Sequence, residues 1–416
     1  MIRRGEAVIL ILLGLPTAAI DWQIAATWKL PAWISLLGAL AALGGLGLVL
    51  FVAPLRAAGS GLAVATLYGL PVIGGIVRWH LVPSGTALIG DGAYQMQLAR
   101  DVLLRGIDPY GFNYAGTGME RTPWSQPFPN PALHHLIYWP GTVVLPLPIQ
   151  AVFKALFGWW DERFWLLLAA VAVWILLGRL APGAIGRMAA IAFFLIPGHS
   201  LLAVLGDNDL PMVALLLGAT LAIHERRWLI AGLLIGLAVA TKQTALVAVP
   251  VLVAWSLACG IDRRDLLRAA GLGAAAAALL FAPFLIWDAR AFVTDTITFT
   301  FGAGGEAYPI QGIGLSAWLL EHGIIHGARD AFPFLAIQLP LVVTAWVLAW
   351  RWFRRRQLAG DAIFWIGVAF FVFLFTNRFS QQAYLLLGVE LVLAGLIARL
   401  SASPGVASEP LISAAA

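Results

Sequence analysis

Charge is what this sequence has least of. Asp, Glu, Lys and Arg make up 11% of its 416 residues, where a soluble domain carries about 25%. That scarcity excludes a soluble enzyme, a disordered chain and a nucleic-acid-binding domain. The net charge of +5 comes from short basic clusters between apolar runs, a pattern that signals topology. Cysteine is almost missing as well: Cys259 stands alone, which excludes an intrachain disulfide and any Cys-rich metal centre. Alternation of apolar and polar residues is missing too, and continuous apolar runs argue against a β-barrel.

What fills the chain is hydrophobic. Such residues make up 61% of the total, with 18 Trp and 22 Phe, and several runs approach the ~20 residues that cross a bilayer as a helix. The expected fold is an all-α polytopic membrane protein of about twelve spans. They fall near residues 7–21, 32–53, 59–79, 162–180, 188–205, 209–223, 228–242, 244–260, 268–286, 331–351, 361–376 and 382–399. Met1-Ile2-Arg3-Arg4 and the apolar run behind it imitate a signal peptide, but further runs follow at once, so this reads as a first helix. One transmembrane domain is expected over 1–400, followed by a small, polar, disordered cytoplasmic tail over 401–416. Two long hydrophilic interruptions, 80–161 and 287–330, are expected on the extracytoplasmic side.

The basic residues test that arrangement. Arg3, Arg4, Arg56, Arg179, Arg187, Arg226, Arg227, Arg263, Arg264, Arg268, Arg351, Arg354, Arg355, Arg356 and Arg399 all fall on one side, fifteen of the 26 Lys and Arg. Short loops on the other side hold Lys29, Lys242 and Arg378, and 14 of the 21 acidic residues lie there. Both ends therefore come out cytoplasmic. Residues 131–157 are apolar enough to suggest another span. Pro131, Pro140, Pro146 and Pro148 break that run, and counting it would invert every later basic cluster. It is expected to lie at the interface, where His134, His135, Tyr138 and Trp139 would suit the headgroup level.

The chemistry-bearing residues gather on the extracytoplasmic side. Gly90-Asp91-Gly92 opens a helix-like stretch with Met96, Ala99, Val102 and Leu103 on one face and Gln97, Asp101 and Arg105 on another, as in a surface helix. Asp91 reads as its N-cap, or as a general base at the mouth of a lipid-facing cavity. Gly106-Ile107-Asp108-Pro109-Tyr110 reads as a turn. Gly206-Asp207-Asn208-Asp209 can cap the next helix, or hold a divalent cation through oxygen ligands. Arg78, His80, Arg121, Lys242 and Arg378 are the cations at this side. Snorkelling explains cations near helix ends, and Lys242 fits it least, being alone in a long apolar stretch. Glu390, inside the last run, raises the same question. Residues 292–305, with Thr294, Asp295, Thr296 and Thr298, read as a lid or an acceptor-binding loop.

The order of these features resembles the GT-C membrane glycosyltransferases over roughly residues 60–400, especially bacterial polyprenyl-phosphate-mannose-dependent mannosyltransferases. It runs from the outer Asp91 and its helix through the Gly106-Ile107-Asp108-Pro109-Tyr110 turn to the proline-bearing segment and Gly206-Asp207-Asn208-Asp209. After these come Ala231–Ala238 leading into Lys242, then Ala282-Pro283-Phe284, Asp288, and Phe379-Ser380-Gln381-Gln382-Ala383-Tyr384. The resemblance implies a lipid-phosphate-linked sugar donor, transfer to a lipid or glycan acceptor on the outer face, and an essential acidic residue in the first outer loop, matched by Asp91. The family's tandem prolines appear only as Asn130-Pro131, and the hairpin 7–53 is extra.

On this reading Asp91 is the base, with Asp207 and Asp209 as fallbacks. Lys242 and Arg378, then Arg78 and His80, are expected to hold the donor phosphate. Tyr94, Tyr110, Asn208, Gln381 and Tyr384 are expected to bind sugar or acceptor, and no cofactor is expected. No inner loop is long enough for a nucleotide-binding domain, which favours a donor that arrives through the bilayer of a bacterial inner membrane. The rival is a transporter or flippase. Transporters keep polar residues at the midplane between repeats, whereas here they concentrate in two one-sided segments.

Overall fold

Where the sequence runs apolar the chain is helical, because a backbone withdrawn from water must satisfy its own N–H and C=O groups. The computed structural model describes residues 2–27, 32–81, 88–124, 128–302 and 307–402. Lys29 and positions 403–416 of the expected tail lie outside them. The extra hairpin is α1 (Ile2–Thr27) and α2 (Ala32–Phe51). Next, α3 (Arg56–Val64) runs through a π-helical turn into α4 (Leu70–Leu81). The first long segment contains α5 (Asp91–Leu104), α6 (Pro140–Val144) and α7 (Leu147–Phe157).

The central bundle follows: α8 (Glu162–Leu180), α9 (Gly183–Phe194), α10 (His199–Leu205), α11 (Leu210–His224), α12 (Trp228–Thr241) and α13 (Ala245–Ala258). Beyond it come α14 (Arg263–Val293), the short α15 (Leu315–Glu321), α16 (Phe334–Phe353), α17 (Ala359–Phe375) and α18 (Gln382–Ala398). Among the described residues the strand content is one parallel pair, Gln311–Gly312 beside Phe379–Ser380, which ties the second long segment to the start of α18.

Among the described residues seven helices are long and apolar enough to cross a membrane, or eight if α9 and α10, bent by 64°, form one broken span. Ser35–Phe51, α11, α12, α13 and α17 are apolar but have only 10–17 residues, so length alone does not reach twelve. Pro140–Phe157 is among the seven. The segment expected at the interface therefore divides. Residues 140–157 are helical, split at Leu145-Pro146. Residues 131–139 instead fold onto α5, where the Gln95 amide donates to the Ala132 and His135 carbonyls at 2.7 and 2.9 Å.

The apolar face of α5 is likewise spent on protein and not on lipid. Met96 and Ala99 are buried with Tyr114, Leu136, Val143, Phe284 and Phe292, and Val102 is buried as well. Charges anchor this layer to the bundle. Buried Arg100 pairs with Glu162 and donates to Gln150 Oε1 at 2.5 Å. Arg163 grips Asp161 at 2.7 Å and the Leu88 and Val204 carbonyls at 2.9 Å. Removing one partner of such a buried pair costs about 3–5 kcal/mol, so the first long segment is held rigidly.

Small residues set the helix spacing. A Cβ on Gly232 or Gly236 would lie 2.1 Å from the Ala269 or Gly273 carbonyl oxygen, and Gly360, Gly367, Gly388 and Gly395 are pressed in the same way between α17 and α18. Without a hydrophobic drive between helices in lipid, such close backbone approach is what holds a pair together. The N-terminal hairpin braces the bend between α9 and α10: Thr17 donates to the Leu195 carbonyl at 3.0 Å, and Glu6 receives Arg187 at 2.8 Å. The acidic Gly206–Asp209 turn lies at the far end of α10, where it leads into α11.

Candidate active site

Two glycine-bordered turns meet face to face at the end of the bundle that carries the long segments. The Gly90 N–H donates to the Leu205 carbonyl at 2.6 Å. Gly206, at φ +85°, is pressed so closely on Ala93 that a Cβ would lie 2.5 Å from the alanine methyl. Only glycine adopts this backbone at this distance without strain, and the contact brings Asp91 beside Asp207-Asn208-Asp209. Gly90, in extended conformation, is the N-cap of α5, and Asp91 is the first helical residue. The expected capping role of Asp91 is thus corrected. Its Oδ1 accepts the adjacent Gly92 N–H at 2.8 Å, and the carboxyl borders a cavity of about 220 Å³ with Trp124, Tyr138, Asp207, Asn208, Gln381 and Tyr384. Burial pushes the Asp91 carboxyl up from its ordinary value, against the hydrogen bond from Gly92 and the Asn130 side chain.

Asp209 sits at the N-cap position of α11, yet its side chain makes no cap bond. It is turned instead to Lys242, 2.5 Å away, and both side chains are buried. Lys242 ends α12 in extended conformation, with its ammonium 5.8 Å from the Tyr138 ring centre and 5.7 Å from that of Tyr384. Asp207 is half-buried beside this pair. Burial, reinforced by the negative Asp209 and offset in part by Lys242 and His199, pushes its carboxyl up to about 8. Asp209, by contrast, is tied to lysine.

Three cavities share Tyr138 and Tyr384 and so form one divided cleft. Beside the Asp91 cavity lies a chamber of about 50 Å³ bounded by Asp91, Gln95, His135, Tyr308 and Gln381. Beyond the tyrosines lies one of about 120 Å³, lined by Ile137, Phe301, Phe373, Leu374 and Phe379 with Lys242 in its wall. The cleft therefore runs from a carboxyl to a cation set among apolar side chains.

Asn208, Gln381 and Tyr384, expected to contact sugar or acceptor, line this cleft. Other expected residues do not. Tyr94 is buried edge-on against Trp79, and Tyr110 packs between Phe284 and Phe292 while donating to the Tyr138 carbonyl at 3.0 Å. Both are packing residues, and Tyr110 acts by fixing Tyr138. His80 is bound to Asp161 at 3.1 Å and lies over Trp159. Arg78, at the end of α4, borders none of the three cavities among the described residues.

Arg378 is buried, and its guanidinium donates to the carbonyls of Tyr308, Asp330 and Ala328 at 2.5, 2.7 and 3.1 Å. Three of its five N–H donors are thereby committed to the second long segment. Hydrogen bonds to a charged group are worth about 1.5–3 kcal/mol. Arg378→Ala should lower the melting temperature and speed amide exchange in residues 307–333, with the donor KM unchanged. A raised donor KM at unaltered stability would restore the phosphate role.

The residues missed from sequence are Tyr138, Trp124, Asn130, Tyr308 and His135. Tyr138 and His135, expected at the lipid interface, line the Asp91 chamber; aromatic residues between prolines look the same in either setting. Gln243, 106 residues further along the chain, reaches across to the Ile137 carbonyl at 2.8 Å and fixes the stretch that carries Tyr138. Among the described residues no group of three or more His, Cys, Asp or Glu is arranged to hold a metal ion.

One family model matches the chain, that of glycosyltransferase family 87, over residues 136–376. The match takes in Tyr138, the Asp207–Asp209 turn and Lys242, and begins after Asp91. No curated protein matches the sequence.

Proposed function

The chain belongs to glycosyltransferase family 87, and from that premise we propose that it moves a hexose, mannose by preference, from a polyprenyl-phosphate donor to a lipid or glycan acceptor. The reading adopts a GT-C-like arrangement of about twelve spans in a bacterial inner membrane, with both termini cytoplasmic and the cleft on the extracytoplasmic side. The opposite placement of the basic clusters supports that sidedness. The observation that carries the donor assignment is the chamber beyond Tyr138 and Tyr384: a mostly apolar lining with one lysine and a few uncharged polar side chains suits a phosphate on a hydrocarbon chain.

In the proposed reaction Asp91 accepts the proton of the acceptor hydroxyl as that oxygen attacks the anomeric carbon. The bond from that carbon to phosphate oxygen breaks, polyprenyl phosphate leaves with the electron pair, and configuration inverts. Lys242 offsets the charge that develops on the leaving group. The test is transfer by purified protein in liposomes supplied with radiolabelled polyprenyl-phosphate mannose, glucose or arabinose, beside nucleotide sugars. Label should move from the mannosyl lipid, with the nucleotide sugars inert. Turnover of a nucleotide sugar in the absence of lipid donor would overturn the reading.

A further inference from the structure

The Asp91 chamber has a second neighbour, unlike the apolar one. An opening of about 510 Å³ is lined by Gly111, His134, His135, Asp288, Arg290 and Asp295. His135 also lines the chamber that holds Asp91, so one imidazole stands between the two spaces. That wall is built firmly. Asp295 is buried, and it receives His135 Nδ1 at 2.8 Å, the Gly111 N–H at 2.8 Å and the Leu136 N–H at 3.1 Å. It thereby ties together three stretches of chain, while the imidazole stacks on Phe299 with ring centres 3.9 Å apart. At the rim, Asp288 leaves helical geometry (φ −149°, ψ 88°), and this turn leaves both Asp288 and Arg290 exposed.

The two approaches to Asp91 differ in chemistry. The Lys242 chamber is walled mostly by aliphatic and aromatic side chains, with uncharged Gln243, Thr244, Thr300 and Asn377 among them, and Lys242 is the one charge in its lining. The His135 opening carries carboxylates, a guanidinium and imidazoles, and its opposite charges nearly balance. Planar groups that both donate and accept hydrogen bonds, with no single strong charge, match a chain of hydroxyls better than they match a phosphate or an acyl tail. We propose that this opening is the acceptor subsite and takes the polyhydroxylated end of a glycan, which reaches Asp91 past His135 while the lipid donor occupies the opposite side of the cleft. This rests on the reading of the Asp91 cleft as the transfer centre. The glycan end is either free in water or the headgroup of a glycolipid.

Ala289 is exposed at the rim between Asp288 and Arg290 and does not line the opening. With Cys259→Ser in the background, Ala289→Cys in nanodiscs offers one attachment point for a bulky polyethylene glycol maleimide. Saturation-transfer NMR with mannotriose, maltotriose and a short-chain mannosyl glycolipid reads occupancy. Hydrolysis of radiolabelled polyprenyl-phosphate mannose in the absence of sugar acceptor reads the transfer centre separately. Before modification, at least one of these glycans should show saturation transfer. Modification should abolish that signal, with hydrolysis changed by less than twofold. A signal from mannotriose or maltotriose identifies a free glycan end, and one from the glycolipid alone identifies the headgroup source. Arg290→Ala should raise the concentration for half-saturation about tenfold. Saturation transfer that survives modification, or its absence for all three glycans, overturns the subsite. Absence of hydrolysis in the unmodified protein overturns the transferase reading instead, and the NMR result then stands by itself.

Discussion

Asp91→Asn should give a folded, donor-binding protein that transfers sugar about 10²–10⁴ times more slowly, the usual contribution of a positioned base. Asparagine keeps an oxygen for the Gly92 N–H that Asp91 now accepts and cannot take a proton. Stability gives an independent control. Because burial raises the Asp91 carboxyl in the folded state, its ionised form opposes folding once the pH exceeds its unfolded value, near 3.9. Replacement by a neutral amide relieves that opposition, so the melting temperature at pH 7 should stay level or rise. Activity follows the same group with the reverse sign: the base works only when deprotonated. In the wild type kcat/KM should climb with pH through the raised value and level off above it, while the residual rate of Asp91→Asn lacks that ascending limb. Near wild-type turnover by the variant, or loss of its fold, would remove Asp91 from the base role.

Lys242→Ala should act in two ways at once. Loss of a charge-assisted hydrogen bond to phosphate, worth about 1.5–3 kcal/mol, should raise the donor KM roughly 10- to 100-fold. The lysine also neutralises buried Asp209 at 2.5 Å, and removing one partner of a buried pair costs about 3–5 kcal/mol. The single variant should therefore be destabilised as well. Adding Asp209→Asn separates the effects: the double variant should regain thermal stability and keep the weak donor binding. If donor affinity returned with stability, Lys242 would serve Asp209 alone.

The structure also places several of the expected site residues away from the cleft. Tyr94, Tyr110, His80 and Arg378 were chosen because polar or aromatic residues at a membrane face attract a functional reading. Their partners, which are Trp79, the Tyr138 carbonyl, Asp161 and three carbonyls of the second long segment, come from chain 15 to 81 residues distant. Arg378 shows the difficulty best, since a lone arginine after Thr376-Asn377 looks the same whether it faces phosphate or backbone. The α5 helix was read correctly as amphipathic, but the pattern of Met96, Ala99 and Val102 records that a face is covered, without saying whether lipid or protein covers it.

The sequence by itself determined the helical, membrane-type character of the chain, since apolar runs without charge leave the backbone only internal hydrogen bonds. It also determined the sorting of basic and acidic residues and the setting of Asp91 between two glycines. Tertiary structure alone decided that Asp91 meets the Asp207–Asp209 turn, because Gly90 and Gly206 let two distant backbones touch. It alone decided that Lys242 is matched to Asp209 and that Tyr138 and Tyr384 divide the cleft between them. Periodicity and polarity are properties of neighbours along the chain. A catalytic cleft is made of distances across it, and those follow from how glycine-spaced helices and buried ion pairs set the elements against one another.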